Sequence, residues 1–364
     1  MTWEFLYSAR WSTTVAAIIA LLAWPATAAE SLTVVSWGGA YTRSQVKAYH
    51  EPFEQKTGIK IHSQDYNGGL AQVKAQVEAG NVAWDLVDLE MSDVIRGCDE
   101  GLLEKIPPSM LPPGNDGTPD GLSIDEDFIP GTLHECGVGT IVWATVVAFD
   151  RTKFPDKRPW TIKDFFDVER FPGKRGLRKN PRVNLEWALM ADGVPAAQVY
   201  EVLATPEGVD RAFRKLDVIK KHVVWWEAGA QPPQMLADGE VVMTSAYNGR
   251  LYNAMVKEKK PFVIIWDGQV WDIDLWGIVK GTKHLQAALE FVKFSTDTQR
   301  LADQAKYISY GPVRRSSMAK VGVRVKPHLP TAPDNFANSL RNDFQWWADS
   351  QDEMNERFAT WLAK

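Results

Sequence analysis

The strongest constraint on this chain is the order in which its apolar patterns change period. Residues 32–35 alternate as a strand and end in Trp37-Gly38-Gly39; a helical pattern then covers 40–57 and stops at Gly58. Residues 59–63 read as a second strand, 70–79 as an amphipathic helix ended by Gly80, 84–89 as a third strand and 93–101 as a short helix. A period of two that repeatedly gives way to a helical period predicts strand–helix–strand units. Such units pack as a mainly parallel sheet flanked by helices. Sheets of this kind bind ligands at the carboxyl ends of their strands. Trp37-Gly38 and Glu90-Met91 both fall there.

The 364 residues are enough for about two domains at roughly 150 residues each. A loop rich in Pro, Gly and Asp spans 107–130, and an apolar strand at 139–149 leads out of the first lobe. Further helices are expected at 161–167, 196–203, 207–221, 231–238, 251–258, 285–295, 298–306 and 343–362, with strands at 223–226 and 241–246. The predicted fold class is α/β in two lobes, each a mainly parallel sheet with helices. One lobe comprises 29–145 plus 273–310 and the other 146–272 plus 311–364.

Residues 1–28 read as an export signal. An apolar run at 13–24 is too short for an ordinary membrane span, Pro25 breaks it, and Ala26-Thr27-Ala28 offers small residues for cleavage after Ala28 or Ala29. The mature protein is expected in the periplasm. The only two cysteines are Cys98 and Cys136. An oxidising compartment fits one disulfide between them, the alternative being two buried thiols. No His or further Cys stands at metal-ligand spacing, so no metal site is expected. Lys plus Arg number 41 against 46 Asp plus Glu, a formal charge of −5, which argues against a nucleic-acid partner.

Nucleotide loops and a serine-nucleophile elbow are absent. The six His are scattered. Asp272 and Asp274, two apart on a strand, would share a face, and a secreted hydrolase using them as acid and base is the alternative of a different class. Nothing nearby completes a catalytic set, so no catalytic residue and no cofactor are expected. A scaffold or adhesion protein without a closable cleft is a third reading.

An ordered series of segments carries a resemblance. It runs through Phe53-Glu54-Gln55-Lys56-Thr57-Gly58-Ile59-Lys60, Trp84-Asp85-Leu86-Val87, the strand at 139–150 and Phe171-Pro172-Gly173-Lys174. It continues through Met235-Leu236-Ala237-Asp238-Gly239-Glu240-Val241, Ala246-Tyr247-Asn248-Gly249, the segment at 271–279, Tyr310-Gly311-Pro312 and the last helix with Gln345. In this order the chain resembles the periplasmic solute-binding proteins of ABC importers, the spermidine/putrescine type. The resemblance implies two lobes that close over a ligand and a monomer that then docks on a membrane permease.

It also implies a ligand. Amine sites of this type place methylenes on aromatic faces and an acid against each ammonium. Trp37 and Tyr247 match the aromatic walls, Asp274 the carboxylate and Gln345 a polar contact of the last helix, with Gly38 beside Trp37. Glu90 stands where a small polar residue is expected, and Asp272 where an aromatic is. An expected acid pair appears as Asn180 and Val183, which argues against spermidine itself. Arg250, with Arg182 near it, opens an alternative to a polyamine: a guanidinium holding a carboxylate while Asp274 holds an amine, as a zwitterionic ω-amino acid requires. The expected ligand contacts are therefore Trp37, Gly38, Glu90, Tyr247, Arg250, Asp272, Asp274 and Gln345.

Overall fold

The computed structural model describes residues 1–2, 31–118 and 121–364. Nearly all of the expected export segment, with both cleavage positions, lies outside the described residues. Nine strands of an eleven-stranded sheet form its framework: β1 (Ser31–Ser36), β2 (Lys60–Asp65), β3 (Leu86–Glu90), β4 (Leu133–His134), β5 (Gly137–Asp150), β6 (Arg175–Arg178), β7 (Val223–Trp226), β8 (Met243–Tyr247) and β9 (Phe262–Ile278); two further short strands, Gly311–Pro312 and Leu340–Arg341, pair with β5 and β9. Their order across the sheet is β2-β1-β3-β9-β5-β8-β6-β7, with β4 paired to β5 outside this path.

Each lobe keeps a parallel trio. In the first, β1 pairs in parallel with β2 and β3; in the second, β6 pairs in parallel with β7 and β8. The two long strands β5 and β9 lie antiparallel at the centre and belong to both lobes. The carboxyl half of β9 pairs with β3, and the carboxyl half of β5 pairs with β8. Their mutual register shifts between Gly139 and Ile141 and again between Thr145 and Val147. Irregular pairing bends and twists strands, and here it lies where the chain passes from one lobe to the other.

Apolar burial follows the same division. One core collects Leu32, Val34, Phe53, Leu86, Trp276 and Phe291; another collects Phe149, Phe165, Trp187, Leu216, Met243 and Trp347. A third cluster joins Tyr41 of the first lobe to Trp226 and Tyr247 of the second, with Trp143 of β5 between them. Among the described residues most of the tryptophan is thus packing, and Trp37 and Trp143 are the two that line the central cavity described below.

Cys98 and Cys136 form a disulfide with Cα atoms 5.7 Å apart. It ties the end of the helix Met91–Asp99 to the start of β5. The side chain of His134 lies within 4.8 Å of both sulfurs, but a disulfide offers no thiolate to a metal.

Candidate functional site

The site begins at a turn. Leaving β1, the backbone passes through Gly38 and Gly39 with φ of 71° and 61°, values that glycine adopts without a Cβ penalty. The space demands glycine as well. A Cβ on Gly39 would stand 2.7 Å from Arg250 Nη1, and one on Gly38 would stand 2.9 Å from Asp65 Oδ2. The turn leaves two carbonyls facing the second lobe. Arg250 Nη1 donates to Gly38 O at 3.0 Å and Nη2 to Trp37 O at 2.8 Å.

Arg250 sits on the short helix Asn248–Tyr252 that follows β8. Asn248 anchors that helix: its Oδ1 accepts from Ala144 N at 3.0 Å and its Nδ2 donates to Ser309 O at 2.7 Å. Tyr247 closes β8, its ring edge-on to Trp143 (5.0 Å between centroids) and to Trp226 (5.7 Å). The Arg250 guanidinium lies 5.8 Å from the Tyr247 ring centroid. Gly229 makes room for both, since a Cβ there would meet Tyr247 at 2.6 Å and Arg250 Nε at 3.0 Å.

From the first lobe, β3 and β9 bring acids. Glu90 is the last residue of β3 and lies opposite Asp274 in the ladder. Asp274 Oδ1 accepts from Trp143 Nε1 at 2.7 Å; Oδ2 takes no hydrogen bond from the described residues. Burial, and then the charges of Asp88, Glu90 and Asp272, hold the Asp274 carboxyl well above the usual carboxylate range. Asp272, two residues earlier, is buried too, and its pKa is pushed up to about 8, first by burial and then by Glu90. Its Oδ1 accepts from Ile273 N at 2.7 Å, while Oδ2 is bonded to Asn342 Nδ2 and lies 4.0 Å from Arg182 Nη1.

These residues meet around a small cavity lined by Trp37, Tyr41, Glu90, Trp143, Tyr247, Arg250, Asp274 and Tyr310. Of the eight residues expected at the ligand, five line it: Trp37, Glu90, Tyr247, Arg250 and Asp274. Gly38 contributes its carbonyl to Arg250 from just outside. Asp272 is directed at Arg182 and Asn342 and does not line the cavity, so it shares no space with Asp274 in which an acid–base pair would work. Gln345 is also elsewhere: on the helix Phe344–Ala363 its amide donates to Asp349 at 3.0 Å. From that helix Gln351 instead reaches inward and accepts from Arg182.

The cations sort themselves by partner. Arg182, buried at 7% exposure, binds Glu90 and donates to Ser92 Oγ at 2.8 Å. Arg178 is held loosely, 3.8 Å from Glu90 Oε1 and 3.4 Å from Asn67 O. Among the described residues Arg250 pairs with backbone carbonyls and with no acid. Two N–H groups of the cavity residues, Trp37 Nε1 and Arg250 Nε, are buried without a partner among the described residues. An unpartnered buried donor is costly, roughly 1–3 kcal/mol, and in a native structure it points to an absent acceptor.

Tyr41, Trp143 and Tyr310 also line the cavity and are not among the expected contacts. Trp143 lies in an unbroken apolar strand, where nothing separates a cavity wall from core. Tyr310 belongs to the Tyr310-Gly311-Pro312 segment of the resemblance, which carried no ligand role.

Comparison with known proteins agrees with this architecture. Residues 48–331 match the family described as bacterial extracellular solute-binding protein. The gamma-aminobutyric acid-binding protein of Pseudomonas aeruginosa is 45% identical over 335 residues, 92% of each chain. The periplasmic binding protein MotA from A. tumefaciens B6, solved in complex with glucopine, superposes with a TM-score of 0.83 at 29% identity, covering 91% of this chain and 99% of that one. A solved GABA receptor gives 0.79 at 32% identity, covering 92% and 98%. The chain belongs to the bacterial extracellular solute-binding protein family and serves as the solute-binding component of an ABC transporter.

Proposed function

We propose that the solute is a short ω-amino acid of the 4-aminobutyrate kind, captured in the periplasm and delivered to an ABC permease. One observation carries the reading. A single cavity joins a guanidinium that has an unpartnered N–H, on the second lobe, to a buried carboxylate with one free oxygen, on the first. An ammonium on Asp274 satisfies that oxygen, and a carboxylate accepts from Arg250 and Trp37. The methylenes between them lie against the aromatic rings. A diamine fills the acid end and leaves the donors unpartnered, so the polyamine reading suits this cavity less well. The high identity to a GABA-binding protein supports the same choice. The proposed contacts are therefore Trp37, Glu90, Tyr247, Arg250 and Asp274, with Gly38 holding Arg250.

Thermal unfolding with candidate ligands tests the proposal. A ligand at about 100 times its Kd stabilises the folded state by about 2.7 kcal/mol. 4-Aminobutyrate is expected to raise the unfolding midpoint clearly, and putrescine at the same concentration to raise it little. A larger shift with putrescine would overturn the amino-acid reading. Arg250→Ala should separate the two further. Losing a charge-assisted hydrogen bond of about 2 kcal/mol weakens 4-aminobutyrate roughly thirtyfold. Putrescine has no carboxylate there and should lose much less; equal losses count against the carboxylate role.

A further inference from the structure

Asp88 lies on β3 two residues before Glu90, outside the cavity lining, and is fully buried. Its Oδ2 accepts twice, from Ser36 Oγ at 2.9 Å and from Gln45 Nε2. Ser36 ends β1, and Gln45 ends the helix Gly39–Gln45. One oxygen thus clips both ends of the segment that carries Trp37, the Gly38 carbonyl held by Arg250, and Tyr41. The Asp88 carbonyl adds a third tie, accepting from the hydroxyl of Tyr66, whose ring centroid lies 5.1 Å from that of Trp37. The titratable groups that face the Asp88 carboxyl are Tyr41 and Tyr49 from residues 39–50, Tyr66 beyond β2, and Asp274 of β9; none is a cation. A buried acid without a cation is costly. Asp88 Oδ1 and Gln45 Oε1 are moreover both buried with no donor among the described residues. An asparagine accepts from the same two donors, adds an N–H and carries no charge to desolvate. Stability alone therefore favours Asn at this position, and the acid calls for another reason.

We propose that Asp88 is a positioning residue of the ligand site: it braces the Trp37–Gly38 turn, and its charge requires a cation at Asp274, the proton when the site is empty and the ammonium when it is filled. This rests on the ω-amino acid reading of the cavity. The ladder places the two acids. Glu90 lies opposite Asp274 and Asp88 opposite Trp276, so Asp88 and Asp274 are diagonal neighbours, roughly 7–8 Å apart in such pairs. Among the charges that keep Asp274 protonated, that of Asp88 acts most strongly. Burial pushes the Asp88 pKa up to about 7, so its charge comes and goes near neutral pH. A proton and an ammonium are cations at nearly the same place, and a negative Asp88 strengthens the hold on both.

The test uses the full mature protein, with 4-aminobutyrate binding measured by calorimetry across pH. Asp88→Asn keeps both clips and removes the charge; Asp88→Ala removes both. About one pH unit below the Asp88 pKa of about 7, Asp88→Asn should bind within about twofold of wild type and Asp88→Ala about tenfold or more weaker. Ser36→Ala cuts one clip and should weaken binding about threefold, which keeps the brace testable if Asp88→Ala does not fold. At higher pH the wild-type affinity should continue to climb after that of Asp88→Asn has levelled off, the levelling coming roughly one pH unit lower in the variant. Without ligand, Asp88→Asn should melt higher than wild type. If Asp88→Asn weakens binding as much as Asp88→Ala, or if Ser36→Ala binds like wild type, the brace is overturned. If Asp88→Asn and wild type follow one curve at every pH, the charge role is overturned. If wild type binds no 4-aminobutyrate, the ligand reading falls instead. Infrared titration of the ligand-free proteins then decides the charge role: Asp274 should ionise at lower pH in Asp88→Asn, and an unchanged titration overturns it.

Discussion

Asp274 is the residue on which the ligand chemistry turns, and its burial makes that chemistry depend on pH. A carboxyl in an unfolded chain titrates near 3.9. In the empty folded protein Asp274 keeps its proton to much higher pH, because burial and the neighbouring charges of Asp88, Glu90 and Asp272 disfavour the anion. An arriving ammonium reverses that preference, since only the anion pairs with it. Binding therefore expels a proton, and affinity rises as pH climbs through the raised pKa of the empty site and falls as pH drops below it. Calorimetry near neutral pH, in two buffers of different ionisation enthalpy, should give binding enthalpies that differ in the sense of proton release. Asp274→Asn should weaken binding and abolish the difference. A wild-type enthalpy independent of buffer would show that Asp274 is already ionised. At this scale the sequence was informative where charge broke an apolar pattern, as at Glu90, Arg250 and Asp274. It was uninformative where the cavity wall is itself apolar, as at Trp143 and Tyr310. The Gln345 expectation shows the other limit: two glutamines share one helix, and only packing against Arg182 distinguishes Gln351 from it.

Elements were legible in proportion to their contrast with solvent. The helices with one wet face, such as Pro206–Lys220 and Leu285–Ser295, fell close to their expected bounds. The helix Asn184–Ala191 escaped because all eight of its residues are buried, which leaves no polar stripe to give a period. β6 escaped for the opposite reason: four residues with Arg at both ends do not look like a central strand. Arg175 is tolerated there because its guanidinium donates to the carbonyls of Phe165, Gly173, Asp167 and Phe171. The disulfide links elements in the same quantitative way. It closes a loop with a sequence separation of 38, for which the chain-entropy estimate is about 4 kcal/mol. The double variant Cys98→Ser/Cys136→Ser should lower the unfolding free energy by about 2–4 kcal/mol, read by denaturant titration. The bond sits at the end of the helix Met91–Asp99 remote from Glu90, so the Kd for 4-aminobutyrate should change by less than about threefold, under 1 kcal/mol. A large loss of affinity with unchanged stability would place the disulfide in the site rather than in the frame.

For the whole molecule, the resemblance implies lobes that open and close, and on the proposed reading such a motion about β5 and β9 would be governed jointly by the ligand and the protein's own ion pairs. Arg182 of the second lobe is bonded to Glu90 and Ser92 of the first, and Arg250 of the second to the carbonyls of Trp37 and Gly38 of the first. With the lobes together, Glu90 is 5% exposed. With them apart, water solvates it. Removing Arg182 therefore penalises one state far more than the other: a buried carboxylate stripped of its partner costs about 3–5 kcal/mol, and a hydrated one costs little. A bias of that size moves an open-to-closed ratio by roughly two to four orders of magnitude. Wild type should contract on adding 4-aminobutyrate, seen as a smaller radius of gyration in solution scattering. Arg182→Ala should stay extended at the same ligand concentration and contract only at much higher ones. Its ligand-free melting temperature should barely move, because the open state does not use the pair. Glu90→Gln in the same background removes the stranded charge and should restore much of the contraction. If Arg182→Ala contracts like wild type, the pair contributes nothing to closure, and the Arg250 clamp with the ligand's own two charges is left to hold the lobes.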